Sequence, residues 1–301
     1  MEKRIPEIFQ QPVLLQKVIA FLNIKPGEVY LDCTIGGAGH SIAILEKGGK
    51  VFGLDRDPEA VTFSYERLTR IYPKGQWQVV KADFADLENI ISKYRLQRPA
   101  GILLDLGVSL HQLKSKGRGF SIFCDEPLDM RMDPELKVKA LDLINGLHEG
   151  ELCDLFYRFA EEKLALPIAK AIVYKRKEKP ITGTKELAQI VSRIYKRRYK
   201  TRSKIHPATK VFQALRICVN DELNNLKKVL PQTIKVLKPK GRLVVLSFHN
   251  LEDNIIKNFL KQGKEKGCLE ILSKKPIVPD QNEIRENPRC RSAKLWLAEK
   301  V

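Results

Sequence analysis

The 301-residue chain has no apolar run approaching the ~18 to 20 residues that a membrane-spanning helix needs, so an integral helical membrane protein is excluded. Its opening segment, MEKRIPEIFQ, is charged and has no apolar stretch with a cleavage site behind it. No secretory signal is expected, and the cytoplasm is the expected compartment. Cysteine is sparse: six residues, at 33, 124, 153, 218, 268 and 290, form no CxxC pair and have no histidine clustered beside them. They read as reduced, mostly buried thiols, and no metal site is expected. Acidic residues are short as well. Against 36 Asp and Glu stand 54 Lys and Arg, a formal net charge of +18. Such an excess favours a polyanionic partner, which gains counterion entropy on binding, and nucleic acid is the natural candidate.

What remains is a globular composition, 43% hydrophobic and 30% charged, on a chain long enough for one large core or two smaller ones. The first hundred residues alternate short β-type runs with helical stretches, which predicts βα units, a parallel sheet and an α/β fold. Strands are expected at 29–32, 50–55, 77–81 and 101–105, with a helix starting at Ser41. Each of these runs closes on or beside an acid or a glycine. In a doubly wound sheet that carboxyl edge is where ligands bind. From about 113 to 207 the pattern is helical without a convincing strand, and one long helix is expected after Pro207, carrying Val211, Leu215, Val219, Leu223 and Leu226 on one stripe. A β pattern returns at 242–248, with two further candidate strands near 268–272 and 293–298. The expected layout is therefore a sheet domain over 1–112 and 210–301, interrupted by a helical insertion over 113–209.

The segment Asp32-Cys33-Thr34-Ile35-Gly36-Gly37-Ala38-Gly39-His40-Ser41 joins the first strand to the first helix. Glycines there permit positive φ and close backbone approach to a ligand. The dinucleotide fingerprint asks for a further glycine three residues after Gly39, and position 42 is Ile, which counts against NAD and its pyrophosphate. S-adenosylmethionine carries no phosphate and needs only the close backbone contact and an acceptor for its ribose hydroxyls. Asp55, at the end of the second strand, fits that acceptor. Phe84, after Asp83, then places an apolar ring at the adenine, and Asp105 faces the methionyl end near the reacting methyl.

Several longer blocks go beyond any single motif. They are Pro12 to Leu15 (PVLL), Gly101 to Ser109 (GILLDLGVS), Arg118 to Ser121 (RGFS), Pro127 to Asp133 (PLDMRMD), His206 to Thr209 (HPAT), Phe212 to Arg216 (FQALR), Ser247-Phe248-His249, Leu251-Glu252-Asp253 and Asn287-Pro288-Arg289. On these blocks, over nearly its whole length, the chain resembles the bacterial 16S rRNA cytosine-N4 methyltransferase family. The resemblance implies a class I methyltransferase fold, Rossmann-like and doubly wound, with an inserted all-helical domain for RNA recognition. It implies methylation of the N4 amine of a cytidine in the decoding region of small-subunit ribosomal RNA, free or in a 30S subunit. It also implies cofactor contacts at Ala38, Gly39, His40, Asp55, Phe84, Asp105 and Gln112, beside Gly37 in the same loop. The chain departs from the family pattern at Gln10, Leu110, His111 and over 160–167.

Methyl transfer from a sulfonium is an in-line displacement that depends chiefly on positioning. A base amine is a weak nucleophile, and an acceptor for its N–H groups localises the lone pair. Asp105, or a backbone carbonyl within Leu106-Gly107-Val108-Ser109, is the candidate acceptor; His249 is a candidate base for the proton lost afterwards, or a residue that positions its loop or binds RNA. For RNA, the densest run is Arg193 to His206, where Lys196, Arg197, Arg198, Lys200, Arg202 and Lys204 meet no acid and Tyr195 and Tyr199 are interleaved. Cations of this kind hold phosphates while aromatic rings stack on bases. Arg118, Arg131, Arg289 and Arg291 are secondary candidates. Three other readings are open to the residues alone: an NAD(P)-linked oxidoreductase, a non-catalytic RNA-binding protein on a decayed methyltransferase fold, and a DNA amino-methyltransferase. The last would normally carry a (D/N/S)PP(Y/F) motif where this chain has DLGV.

Overall fold

In a strand, successive side chains point to opposite faces, so a strand that is apolar at every position must be covered on both sides. The computed structural model, which describes residues 11–199 and 206–301, follows that rule. The chain begins with α1 (Leu15–Leu22), then β1 (Val29–Asp32), α2 (Gly39–Glu46), β2 (Lys50–Asp55), α3 (Pro58–Ile71), β3 (Trp77–Lys81), α4 (Leu87–Lys93) and β4 (Gly101–Asp105). Leu31, Phe52, Leu54, Ile102, Leu104, Leu243 and Val245 fill a core on one face of the sheet. Tyr30, Val51, Leu103, Val244, Leu246 and Leu295 fill a second core on the other.

A helical series follows: α5 (Leu110–Lys114), α6 (Ala140–Gly146), α7 (Glu149–Ala160), α8 (Ala165–Arg176), α9 (Thr184–Arg198) and α10 (Thr209–Val219). The chain then runs through α11 (Glu222–Val236), β5 (Arg242–Ser247), α12 (Asn250–Glu265), β6 (Leu269–Ile271), α13 (Gln281–Glu286) and β7 (Lys294–Lys300). Seven strands form one sheet in the order β3-β2-β1-β4-β5-β7-β6. β1 pairs in parallel with β2 and β4, and β7 runs antiparallel between β5 and β6. This is the α/β, doubly wound class I methyltransferase architecture. The strand order reverses between β1 and β4, the switch point at which such sheets open a crevice outside their carboxyl ends.

The chain divides into two units, Met1–Ser109 with Leu223–Val301, and Leu110–Glu222. The second of these units contains the expected insertion, 113–209, and extends beyond it at both ends. The single long helix expected after Pro207 is two helices, because Asn220 turns its buried side chain to Met132 N and Met130 O, and Asp221 takes a left-handed φ of 50°. α10 thereby belongs with the helical unit, where it packs on α7 and α6.

Inside the helical unit the RGFS and PLDMRMD blocks have structural work. A Cβ at Gly119 would lie 2.2 Å from Pro127 O, and the residue holds φ at +71°, so only glycine fits. Arg118 donates to the carbonyls of Arg131 and Met132. Arg131 pairs with Asp129 and donates to Pro134 O and Leu136 O. Neither arginine is a loose phosphate ligand, and the contacts given for Arg131 stay inside this unit. The cysteine expectation also needs correction, since among the six only Cys33 and Cys290 are buried, while Cys124 and Cys268 are exposed. Among the described residues no helix is long and apolar enough to cross a membrane.

Candidate functional site

Three strands of the first unit end on carboxylates, and each acid is held differently. Asp32, 1% exposed at the end of β1, accepts the Ser41 hydroxyl at 2.7 Å and the Thr34 N–H at 3.3 Å. Burial pushes it up to about 6 against those two bonds. Asp55, at the end of β2, accepts from Gly36 N and Asp57 N, both at 3.0 Å. Burial pushes it up to about 7. The carboxylate expected to stand ready for a ribose therefore also braces the glycine loop, so its removal cannot leave the loop untouched. Asp105, at the end of β4, has a side chain 9% exposed and a buried Oδ1 without a hydrogen-bond partner. Burial pushes it up to about 8, with the Asp32 and Glu252 charges adding to the shift.

The loop between β1 and α2 is pinned at both ends. Ile35 N bonds Leu54 O, and Arg67 donates to Gly37 O at 2.6 Å. Ala38 occupies the left-handed region with φ 60° and caps α2. A Cβ at Gly39 would meet the Pro12 ring at 2.9 Å, so this glycine serves packing against the chain's own N-terminal segment as well as ligand approach. His40 is 5% exposed, and its Nε2 lies 3.0 Å from Val13 O. A carbonyl can only accept, so the ring proton sits on Nε2 and Nδ1 presents a lone pair, 3.9 Å from Asp105 Oδ2. Burial lowers His40 to about 4, which keeps it neutral. The PVLL block is thereby explained: Pro12 seats Gly39, and Val13 orients His40.

Phe84 opens a short turn after Asp83 and is half-buried against the sheet core. Asp83 caps that turn and lies 3.3 Å from Arg56. Gln112 is buried on α5 in the second unit. His249 caps α12, with its Nδ1 accepting from Glu252 N at 3.4 Å. The remaining ring proton is then on Nε2, which is buried 3.2 Å from Glu252 Oε1. Neither nitrogen offers an exposed lone pair, so in this arrangement His249 is placed to hold the loop after β5 rather than to take a proton. Glu252 itself is 2% exposed and accepts from Phe248 N at 2.8 Å.

The family profile that matches residues 7–301 is that of the MraW methylase family. This chain belongs to the MraW methylase family. It is 43% identical to the ribosomal RNA small subunit methyltransferase H of Carboxydothermus hydrogenoformans, covering 98% of this chain and 99% of the relative. It is 44% identical to the protein of the same name from Sulfurihydrogenibium sp., covering 96% and 98%. Among solved structures, an rRNA methylase from Streptococcus thermophilus is similar over 98% of this chain and 99% of its own, at 11% identity and a TM-score of 0.46, too slight a likeness to build on.

Of the basic run in the helical unit, Lys196, Arg197 and Arg198 form the exposed last turn of α9. Lys200, Arg202 and Lys204, like Gln10, lie outside the described residues. Tyr195, expected to stack on bases, instead donates to Glu162 Oε2 at 2.6 Å, and Glu162 is 1% exposed. Burial, together with that bond, raises the phenol above its usual range. Tyr199, 46% exposed, is the aromatic left at the surface. Exposed cations also extend beyond the run: Lys170 on α8, Lys185 and Arg193 on α9, which packs on α8, and Lys163 and Lys177 just before and after α8, with Tyr174 71% exposed.

Sequence reasoning missed the Asp32–Ser41 bond, the His40–Val13 contact and the role of Glu252. The spacing of Ser41 nine residues after Asp32 was a signal for the first. Nothing local signals the second, which joins positions 27 residues apart, whereas Glu252, three residues after the α12 cap His249, sits where a helix-start acid bonds back to a preceding N–H.

Proposed function

We propose that this chain is an S-adenosylmethionine-dependent methyltransferase, acting in the cytoplasm on the N4 amine of a cytidine in the decoding region of 16S ribosomal RNA. The observation that carries the reading is the row of enclosed carboxylates at the carboxyl edge of β1, β2 and β4 beside a glycine loop, in a chain of the MraW methylase family. A buried carboxyl with an unpartnered oxygen fits a cationic ligand, and the enclosed loop fits a nucleoside without phosphate.

In this reading Gly37, Ala38, Gly39 and His40 line the cofactor, Asp55 takes the ribose hydroxyls, Phe84 lies at the adenine, and Asp105 lies at the methionyl end. When bound, the cofactor supplies an electrophilic methyl group. The chain's own residues position and hold protons: Asp105, in its ionised form, accepts an N–H of the target amine and so concentrates the nitrogen lone pair. The target base must leave its stack to reach that carboxylate. The helical unit recognises the RNA through the cations of α8 and α9 and the run 196–204.

The test is mass-spectrometric mapping of small-subunit rRNA methylation after incubating the purified protein with cofactor and either free 16S rRNA or 30S subunits. A cytidine in the decoding region gaining one N4 methyl group is the expected result, and the two substrates show which form is used. Absence of methylation on both, or a mark on another base atom, overturns the reading.

A further inference from the structure

Every buried acid near the site but one has donors. Asp32 has Ser41 and Thr34, Asp55 has Gly36 and Asp57, and Glu252 has Phe248 N–H. Asp105 has none for its carboxyl. Its backbone N–H donates to the Thr34 hydroxyl, its Oδ1 is unpartnered, and its Oδ2 meets only the lone-pair side of His40. The charged groups that face it from the neighbouring elements of the first unit are Asp32 from β1 and Glu252 from α12, both acids, while His40 from α2 is neutral. No Lys or Arg pairs with it among the described residues. A carboxylate so placed, desolvated and beside two like charges, is disfavoured against the neutral acid until a cation arrives.

The cation is implied by the proposed cofactor, on which this inference rests. S-adenosylmethionine carries a sulfonium, whereas the product S-adenosylhomocysteine is a neutral thioether with the same ribose, base and amino acid. β4 stands two strand spacings from β2, roughly 10 Å, so a ligand whose ribose is at Asp55 brings its other end to Asp105.

We propose that Asp105 couples a proton to the charge of the bound cofactor: it is a neutral acid in the ligand-free site, releases its proton to solvent when the sulfonium is seated, and then accepts the proton that the target amine loses. In the transfer the S–CH3 bond breaks with its electron pair left on sulfur, and the N4 lone pair forms the N–CH3 bond. The N–H pair stays on nitrogen as that proton passes to the Asp105 carboxylate. Before the step a carboxylate faces a sulfonium; after it a carboxylic acid faces a thioether. The pair of Asp105 and cofactor sulfur carries zero net charge before and after the step, so the transfer leaves no uncompensated charge on them in a low-dielectric pocket. Asp105 thus also discriminates donor from spent product.

The experiment is calorimetric titration of the full-length protein with S-adenosylmethionine and S-adenosylhomocysteine between pH 6 and 8, for wild type, D105N and D105E. Contributions of Asp55 and Asp32 are shared by the two ligands and cancel in the ratio of their affinities. With Asp105 pushed up to about 8, the wild-type preference for S-adenosylmethionine should rise nearly tenfold per pH unit from pH 6 and flatten only as pH passes through 8. Ionisation of the cofactor's own ammonium drives the ratio the opposite way. D105N should bind both ligands with a flat ratio, and D105E should restore the slope. A flat wild-type ratio overturns the proposal, and that measurement does not depend on any variant folding. A slope that survives in D105N overturns it as well. Failure of the wild type to bind either ligand at any pH is a different outcome: it overturns the cofactor reading together with this inference.

Discussion

Replacing Asp55 by Ala tests whether this carboxylate is both cofactor ligand and loop brace. The substitution strands two N–H groups. Asp57 is 0% exposed, so its N–H loses its partner with no water to replace it, whereas Gly36 is partly exposed and loses less. At ~1 to 3 kcal/mol for a fully buried orphan and less for the wetted one, the cost is about 2 to 3 kcal/mol. A change of that size corresponds to a fall in Tm of roughly 5 to 10 °C for a unit this large. The cost depends on pH, with a definite sign. Asp55 is raised from 3.8 to about 7, so the folded state holds the proton more tightly than the unfolded chain. The resulting stabilisation is fully present below about 4 and is lost as pH rises through 7. The residue keeps some solvent contact, so about 1 to 2 kcal/mol of this pH-dependent stability is expected, well under the nominal value of the shift. Asp55→Ala should therefore be more destabilising at pH 5 than at pH 8. Differential scanning calorimetry at both pH values, with cofactor titration on the same samples, measures this. A Tm deficit that grows with pH, or wild-type cofactor affinity in a variant that has lost the two bonds, refutes the reasoning.

Neutralising Lys196, Arg197 and Arg198 together to Gln should lower the slope of log RNA affinity against log salt by about 2 to 3 units and leave cofactor affinity unchanged; an unchanged slope would return these cations to a solvated helix end. His249→Ala removes the cap of α12 and should cost about 1 kcal/mol in stability while the methylation rate keeps its pH profile; loss of one limb of that profile would make His249 the base after all.

Much of the sheet domain was legible because its signals are local. The expected ranges of the first four strands coincide with the observed ones, since short β-type runs between helical stretches, three of them ending on an Asp, admit few other structures. The break at Asn220–Asp221 was not legible, because the stripe from Val211 to Leu226 keeps helical spacing across it. What ends the helix there is a side chain bonding Met130 and Met132, some 90 residues earlier. Tyr195 fails in the same way. Its place in a basic run suggested a stacking ring, but the acid it bonds lies 33 positions away.

The order of elements, the strand-end acids, the glycine loop and the charge that favours a polyanion are all readable in the linear chain, because periodicity, residue type and net charge survive unfolding. The state of each acid is set by folding alone. Asp32, Asp55 and Asp105 are the same residue type at equivalent strand ends, yet one bonds a hydroxyl, one braces a loop and one meets only acids and a lone pair. Protonation depends on desolvation and on which donors come within about 3 to 4 Å, and the partners that set it arrive from segments that only the fold brings together.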